Sequence, residues 1–291
     1  AWGFRHAGIG GLFGAGVGLN YNAGMMAGMS SNAGFVGLSG SNGSGAMTST
    51  NGVLETTVNS GTWYSGAGDF ELSIGYWPGF GTGRDVMEAL LWDYELSAAE
   101  QSRVEAYLAI KYGITLGANG TSMDYLSPFN GTVVWDVSAN SGFNYDIAGV
   151  MRADASRLDQ RKSHSTNGPA VDVFNDIVTI ANGTNFSSPS GIANDGDAFI
   201  WGHDNGPLIN TGVVVNYPTD NGEVIEAIFT REWKSQETGA TGTMTIEFDL
   251  SSVVGVGGVL GSNDLQHIRL LVDEDGNYAV ENTVKAKVYD L

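Results

Sequence analysis

A single stretch, LLWDYELSAAEQSRVEAYLAIKYGITL at residues 90–116, has the pattern of an α-helix in a chain built otherwise of short apolar runs and glycine-rich turns. Ser97 is a good N-cap, and Glu100 follows three residues later, which is the spacing of a capping box. Gly113 provides the left-handed residue at which helices commonly end. The sequence therefore predicts one short amphipathic helix at about 97–112.

The apolar residues of this helix indicate which side it buries. They recur at i, i+4 and i+8, the spacing of one helical face, and that face consists of Val104, Leu108 and Tyr112, widened by Tyr107. The residues predicted to face water are Ser102, Arg103 and Glu105. Lys111 lies on the apolar face near the helix end, where a long side chain can reach outwards to solvent. We expect the helix to dock on a sheet by one face.

The rest of the chain has the period-two pattern of strands. Its 43 glycines and 6 prolines follow no G-X-Y period, which excludes collagen and favours tight turns between strands. DVMEALLWDYELS at 85–97 is predicted to be a largely buried strand. We therefore predict an all-β fold of two β-sandwich, jelly-roll-like domains, 1–117 and 118–291, joined by the helix.

Charge and composition exclude several functions. The formal net charge of −19 would repel nucleic acid and anionic bilayers. No apolar run approaches the ~18 residues of a membrane span, so membrane insertion is not predicted. The chain contains no cysteine, which excludes disulfides, thiolate catalysis and cysteine-bound zinc. An acidic surface suits high salt, cation binding or solubility.

Calcium is the cofactor that the acidic turns favour, because it binds several carboxylate, amide and carbonyl oxygens. In VDEDGNY, the alternating oxygen ligands Asp273, Asp275 and Asn277 surround a glycine turn, although Val284 occupies the distal glutamate position. Two further candidate loops contain Asn194, Asp195 and Asp197, and Asp204 with Asn205. For each loop the alternative is a plain Asx-turn. The four histidines, His6, His164, His203 and His267, have no zinc-site spacing.

Aromatic and acidic residues suggest two other kinds of site. A sugar-stacking platform could consist of Trp63, Tyr64, Tyr76 and Trp77, for which the alternative is a place in the core. A glycan hydrolase needs two carboxylates about 5–10 Å apart. Asp93 and Glu95 share a strand face and are the candidates for that pair. Their place at the strand end beside the helix is more typical of solvent-facing or capping acids, and no G-x-S-x-G elbow is present.

A basic segment interrupts the acidic sequence. MRADASRLDQRKSHSTNG, at 151–168, is predicted to be a polar loop or a short turn of helix. Its cations are Arg152, Arg157, Arg161 and Lys162, with Asp154 and Asp159 alongside. We predict a salt-bridged loop that packs between strands, and the alternative is a patch that binds glycans or carboxylates.

The stretch around the helix resembles a known arrangement. DVMEALLWDYELSAAEQSRVEAYLAIKYGITL resembles the end of a laminin-G or concanavalin-like jelly roll in large secreted bacterial proteins of the Bacteroidota type that use type IX secretion. The matching residues are Leu96, Ser97, Glu100, Tyr107, Leu108, Lys111, Tyr112, Gly113 and Ile114. The resemblance covers 85–291 well and 1–84 weakly. It implies that domain 1–117 is a partial jelly roll closed by the helix, and that 118–291 lacks its last strands.

The same resemblance implies a function outside the cell. It suggests a non-enzymatic structural or adhesive module that is secreted or displayed at the cell surface. Its expected partners are glycans, surface proteins, other domains of the same long chain or identical subunits. A calcium-dependent, lectin-like carbohydrate-binding module is the first alternative. A glycan hydrolase that uses Asp93 and Glu95 is the second.

Overall fold

The computed structural model describes most of the chain between residues 96 and 250, and shorter runs outside that range. The longer described ranges are 96–117, 123–166, 176–208 and 231–250. The shorter ones are 87–88, 90, 92, 119–120, 219, 222, 229, 268–273 and 287–290. Before residue 87 and between 251 and 267, the description covers strand backbone and the side chain of Val53.

Strands dominate the described residues, which confirms the predicted all-β class. Before the helix they are β1 Trp2–Gly3, β2 Leu12–Phe13, β3 Met25–Met26, β4 Val36–Ser41, β5 Gly45–Thr50, β6 Val53–Val58 and β7 Leu72–Ser73. The helix α1 is Ala98–Tyr112. After it come β8 Tyr125–Leu126, β9 Val133–Trp135, β10 Tyr145–Ala153, β11 Leu158–Gln160, β12 Lys162–His164, β13 Val178–Asn182, β14 Ala198–His203, β15 Trp233–Thr238, β16 Met244–Phe248, β17 Val254–Gly255, β18 Gly258–Val259, β19 Arg269–Val272 and β20 Lys287–Asp290.

The helix begins and ends where the sequence predicts. The Ser97 side chain accepts a hydrogen bond from the Glu100 backbone N–H, and Glu100 Oε2 accepts one from the Ser97 N–H at 2.8 Å. Gly113 is left-handed with a φ of 64°, and its N–H donates to the Ala109 carbonyl. The capping box and the glycine stop are therefore both confirmed.

The buried face of α1 differs from the predicted one. Its centre is formed by Ala106, Ala109 and Ile110, with Tyr107 at its margin. The predicted stripe of Val104, Leu108 and Tyr112 is only half-buried. Glu105, predicted to face water, is 5% exposed and accepts a hydrogen bond from Gln101 Nε2 at 2.9 Å. A pattern that ranks residues by hydrophobicity undervalues alanine, whose small side chain lets the helix approach its neighbours closely.

The segment before α1 also differs from its prediction as a largely buried strand. Residues 87, 88, 90 and 92 lie outside any strand. Met87, Leu90 and Trp92 are 77%, 41% and 36% exposed. A run that is apolar at successive positions needs cover on both faces to be a buried strand. Among the described residues, the tie between this segment and α1 is instead polar and runs through Glu88.

The core beside α1 is formed by strands that follow it in sequence. A four-stranded sheet has the order β11-β10-β14-β15. One face of β10 and β14 contributes Ile147, Met151, Ala198 and Ile200 to the same cluster as Ala106 and Ile110 of the helix. On the opposite faces of these strands, Val150 and Trp201 are also buried. Burial on both faces explains the nearly continuous apolar sequence of β10 and β14.

Two smaller sheets complete the described region beside the helix. The strands β12, β13 and β16 pair in that order, with Ser163 opposite Ile180. Strands β8 and β9 form an antiparallel pair with Tyr125 opposite Trp135. Strands were predicted in TVVWDVS, DIVTIAN, DAFIWGHDNG, AIFTREWKSQ, TMTIEFDLS and HIRLLVDEDGNY, and each of these stretches contains part of a described strand.

The chain divides into two compact units. The larger comprises Ala1–Gly202 and Lys234–Glu247, and the smaller comprises His203–Trp233 and Phe248–Leu291. In the smaller unit, β19 and β20 pair with Arg269 opposite Asp290. The division into sandwich domains at residue 117 stays a prediction. No helix in the described part of the chain combines the length and apolar character needed to cross a membrane.

Candidate functional site

Four polar side chains form a cluster at the C-terminal half of α1. We call Glu88, Tyr107, Lys111 and Tyr112 the Glu88 cluster. Glu88 Oε1 accepts from the Tyr107 hydroxyl, and Glu88 Oε2 accepts from Lys111 Nζ and the Tyr112 hydroxyl, each at 2.9 Å. Lys111 Nζ also donates to the Tyr107 hydroxyl at 2.6 Å. The carboxylate therefore receives three donors from successive turns of one helix.

The Glu88 cluster acts as a clamp that holds the residue 88 segment to α1. The Lys111 ammonium lies 5.0 Å and 5.6 Å from the centres of the Tyr107 and Tyr112 rings, within cation–π range. Its contact with the Tyr107 hydroxyl, together with the one to Glu88, raises the pKa of Lys111 above its usual range. A lysine nucleophile must be neutral. Lys111 is held as an ammonium and ties the residue 88 segment to the helix.

The Glu88 cluster predicts a pH-dependent stability. Partial burial raises the pKa of Glu88, but the hydrogen bonds from Lys111, Tyr107 and Tyr112 lower it by more. The pKa of Glu88 therefore lies below its ordinary value of 4.5. A lowered pKa contributes stability above the unfolded-state value, and this is lost as the pH falls through the folded-state value. We expect Glu88→Gln to cost about 1–2 kcal/mol at neutral pH.

Denaturant titrations at about pH 7 and about pH 3 test this difference, which should shrink in acid. Glu247→Gln is the control, since Glu247 is an exposed acid in β16. If Glu88→Gln lowered the free energy of unfolding equally at both pH values, the ionised carboxylate of Glu88 would not be what stabilises the clamp.

The basic segment forms ion pairs, as predicted, but lies mostly in strands. Arg152 Nε donates to Asp154 Oδ1 at 2.8 Å, and its terminal nitrogen donates to Asp154 Oδ2 at 2.9 Å. Arg161 Nε donates to Asp159 Oδ2 at 2.8 Å. The expected loop is replaced by β10, a 3-10 turn at Asp154–Ser156, β11 and β12. The buried residues of this stretch include Ser163 in β12 and Ser165 just after it, so the alternation looked uniformly polar in the sequence.

The other two cations of the segment have different surroundings. Lys162 Nζ lies 3.6 Å from the centre of the Phe186 ring. Arg157 is left-handed, with a φ of 57°, and its N–H closes the 3-10 turn at the Asp154 carbonyl. The glycan- or carboxylate-binding patch stays a prediction for this segment.

The carboxylate oxygens of the first acidic loop accept hydrogen bonds from two backbone N–H groups and one side-chain amide. Asp195 Oδ1 accepts from the Asp154 N–H at 2.9 Å. Asp197 Oδ2 accepts from Asn194 Nδ2 at 2.9 Å and from the Ala240 N–H at 3.0 Å. The two aspartates therefore join turns that are distant in sequence, and calcium binding at this loop stays a prediction.

The second acidic loop belongs to the smaller unit and is an Asx-turn. Asp204 Oδ1 accepts from the N–H groups of Gly206 at 2.8 Å and Glu232 at 3.1 Å. Burial, reinforced by the negative charge of Asp204, raises the pKa of Glu232. Buried His203 accepts the Asn205 N–H at Nδ1, 2.9 Å away. Among the described residues, no three His, Asp or Glu side chains converge to hold a metal ion, and calcium stays a prediction.

Side chains from distant parts of the larger unit anchor residues 234–247. Gln236 Oε1 accepts from the Asp136 N–H at 3.0 Å and from Asn140 Nδ2 at 2.7 Å. Asn182, only 4% exposed, donates through Nδ2 to the Thr241 carbonyl at 2.6 Å. These contacts span 100, 96 and 59 positions of sequence. Together with Asp197, they hold the returning segment in place.

A polar pair between exposed Asn119 and buried Asp146 follows the helix. Asp146 is fully buried and left-handed, with a φ of 49°. Its Oδ1 accepts from Asn119 Nδ2 at 2.8 Å, while its N–H donates to Asn119 Oδ1 at 2.7 Å. This reciprocal pair satisfies buried polar groups that would otherwise be costly. It fixes the start of β10 relative to the chain that leaves the helix.

Most of the predicted site residues lie outside the described residues. These are Trp63, Tyr64, Tyr76, Trp77, Asp93, Glu95, Asp275 and Asn277. Asp273 is described and follows directly after β19. The sugar platform, the hydrolase pair and the VDEDGNY calcium site therefore stay predictions.

Sequence reasoning missed Glu88, Asp146 and Gln236. Their partners lie 23, 27 and 100 positions away, and no local motif marks them. The one sequence feature that pointed to this cluster was Lys111 on the apolar face of the predicted helix, because a cation at a partly buried position needs an acidic partner.

The comparisons with known proteins give one match. A family model described as Domain of unknown function (DUF8202) matches residues 100–290, about two thirds of the chain. No curated protein and no solved structure matches. The matched range begins inside α1 and continues through β20, so it includes the core that the helix shares with the strands after it.

Proposed function

Since the chain belongs to the DUF8202 family, a domain of unknown function, we propose from its own residues that it is a non-enzymatic, extracellular structural and adhesive module of a large cell-surface protein. It would space or present other domains and contact glycans, surface proteins or identical subunits. The resemblance of residues 85–291 to secreted bacterial surface proteins supports the same proposal.

The observation that carries the proposal is the use of polar side chains as long-range braces. Asp197, Gln236 and Asn182 tie the 234–247 segment to parts of the chain 43 to 100 positions away. Such contacts join parts of the chain that are distant in sequence, so each of them resists separation of those parts. A module that transmits force between neighbouring domains benefits from this kind of cross-linking.

The net charge of −19 supports an exterior location. A strongly acidic surface stays soluble and resists nonspecific association with nucleic acid and anionic membranes. The absence of cysteine suits a module whose stability comes from a packed core and polar braces and does not depend on redox conditions.

Location is tested on intact cells of the source organism. We expect an antibody against the folded module to label unpermeabilised cells, and added protease to remove that label. Labelling that requires permeabilisation would overturn the extracellular assignment. A glycan array on the purified chain addresses the lectin-like alternative, because micromolar binding to a defined glycan would favour that reading over a structural one.

Mechanical unfolding tests the bracing role. In a chain of identical modules pulled by atomic force microscopy, we expect Asp197→Ala to lower the unfolding force and to cost about 1 kcal/mol in denaturant titrations. The reason is loss of the acceptor for the Ala240 N–H. Glu247→Ala, at an exposed acid in the same unit, should change neither quantity. Equal unfolding forces for all three proteins would contradict the proposal.

A further inference from the structure

Four sequons with the pattern N-x-S/T, in which x is not proline, begin at described asparagines. They begin at Asn119, Asn130, Asn182 and Asn185. This tripeptide is the acceptor of N-linked sugars in exported proteins. A folded chain can accept a sugar only where the asparagine Nδ2 is accessible and not committed to another contact. The four identical or similar tripeptides differ sharply in this respect.

Two of these asparagines, Asn119 and Asn182, use Nδ2 in hydrogen bonds within the fold, although Asn119 is itself exposed. Asn119 Nδ2 donates to the buried Asp146 carboxylate at 2.8 Å. Asn182 Nδ2 donates to the Thr241 carbonyl at 2.6 Å, and the residue is 4% exposed. A sugar on either nitrogen would remove a donor from a buried or structural acceptor, which is costly.

The other two asparagines present Nδ2 at exposed turns. Asn130 precedes β9, and its Oδ1 accepts from the N–H and hydroxyl of Thr132 at 3.0 Å and 2.8 Å. Asn185 follows β13, and its Oδ1 accepts from the N–H groups of Ser187 and Ser188, both at 3.1 Å. Both residues are exposed, and neither Nδ2 makes a hydrogen bond among the described residues.

We propose that Asn130 and Asn185 are sites of N-linked glycosylation, and that Asn119 and Asn182 are not. The substrate class is an oligosaccharide carried on a polyprenyl pyrophosphate. Nδ2 forms a bond to the sugar C1, the C1–oxygen bond to the pyrophosphate breaks, and the amide proton leaves to a base. The bulky polar product suits an exposed turn.

This inference rests on the proposed extracellular function, because the modification requires export. The test is peptide mapping by mass spectrometry of the native protein recovered from its source. We expect a glycan mass at Asn130 and at Asn185, with Asn119 and Asn182 unmodified. Bare asparagine at Asn130 or at Asn185, or a glycan at Asn119 or Asn182, would overturn the proposal.

Variants expressed in the source organism separate sequon recognition from other modifications. Asn130→Gln and Thr132→Ala should each remove the glycan from position 130, and Asn185→Gln and Ser187→Ala should do so at 185. Asn119→Gln should change the intact mass only by the substitution. Protein found on the cell surface without glycan refutes the inference alone, whereas protein confined to the cytoplasm refutes the proposed function.

Discussion

Replacing Gly113 with alanine is expected to lower the free energy of unfolding by about 3–4 kcal/mol. Two costs combine at this position. The residue is left-handed, with a φ of 64°, which penalises any side chain. An alanine Cβ would also overlap with the His164 carbonyl oxygen, which belongs to the backbone and cannot rotate away.

The position matters because two elements meet there. The Gly113 carbonyl accepts a hydrogen bond from the Thr166 N–H at 2.8 Å, just after β12. The end of α1 therefore docks directly on the chain that leaves β12. Moving that backbone to accommodate a methyl group would disturb the helix end and the strand end together.

Gly242→Ala is the matched control. Gly242 has a similar φ of 79°, but no atom lies within 4 Å of its added Cβ. We expect it to cost about 1 kcal/mol, the price of backbone strain alone. Chemical denaturation followed by circular dichroism measures the free energy of unfolding of both variants. Equal losses for Gly113→Ala and Gly242→Ala would show that the close approach to His164 contributes nothing.

Gly113 also illustrates how far the sequence can predict this fold. Its place after a helix pattern predicts a left-handed stop, because that conformation depends on one residue and its neighbours. The contact with His164 is 51 positions away and leaves no local mark. The capping box, the helix bounds and the strand class are local in the same sense, so they were predictable.

The errors share a physical cause, which is that burial depends on the partner. Glu105 is buried because Ala106 and Ala109 bring α1 close to its neighbours, and its Oε1 accepts a hydrogen bond from Gln101. Met87 is exposed although its segment is rich in apolar residues. The Glu88 cluster and the ties of Gln236 are long-range for the same reason. The local periodicity of the sequence cannot show which distant residues will bury a side chain or supply the opposite charge.

Trp135→Ala is expected to cost about 4 kcal/mol, as for other large-to-small changes in packed cores. The Trp135 side chain is 0% exposed and belongs to the cluster that includes Ala106 and Ile110 of α1. Its indole N–H donates to Asn144 Oδ1 at 2.9 Å, so truncation also leaves a buried acceptor without that donor. The free-energy cost of the cavity therefore adds to that of the lost hydrogen bond.

Two further variants separate these contributions. Trp135→Phe keeps most of the volume and removes the indole N–H, so it should cost about 1–2 kcal/mol. Trp92→Ala deletes the same side chain at a position that is 36% exposed, and should cost less than about 1 kcal/mol. Denaturant titrations of the three variants rank the effects. If Trp92→Ala proved as costly as Trp135→Ala, the segment before α1 would be packed against the rest of the unit, and the original prediction of a buried strand there would regain its support.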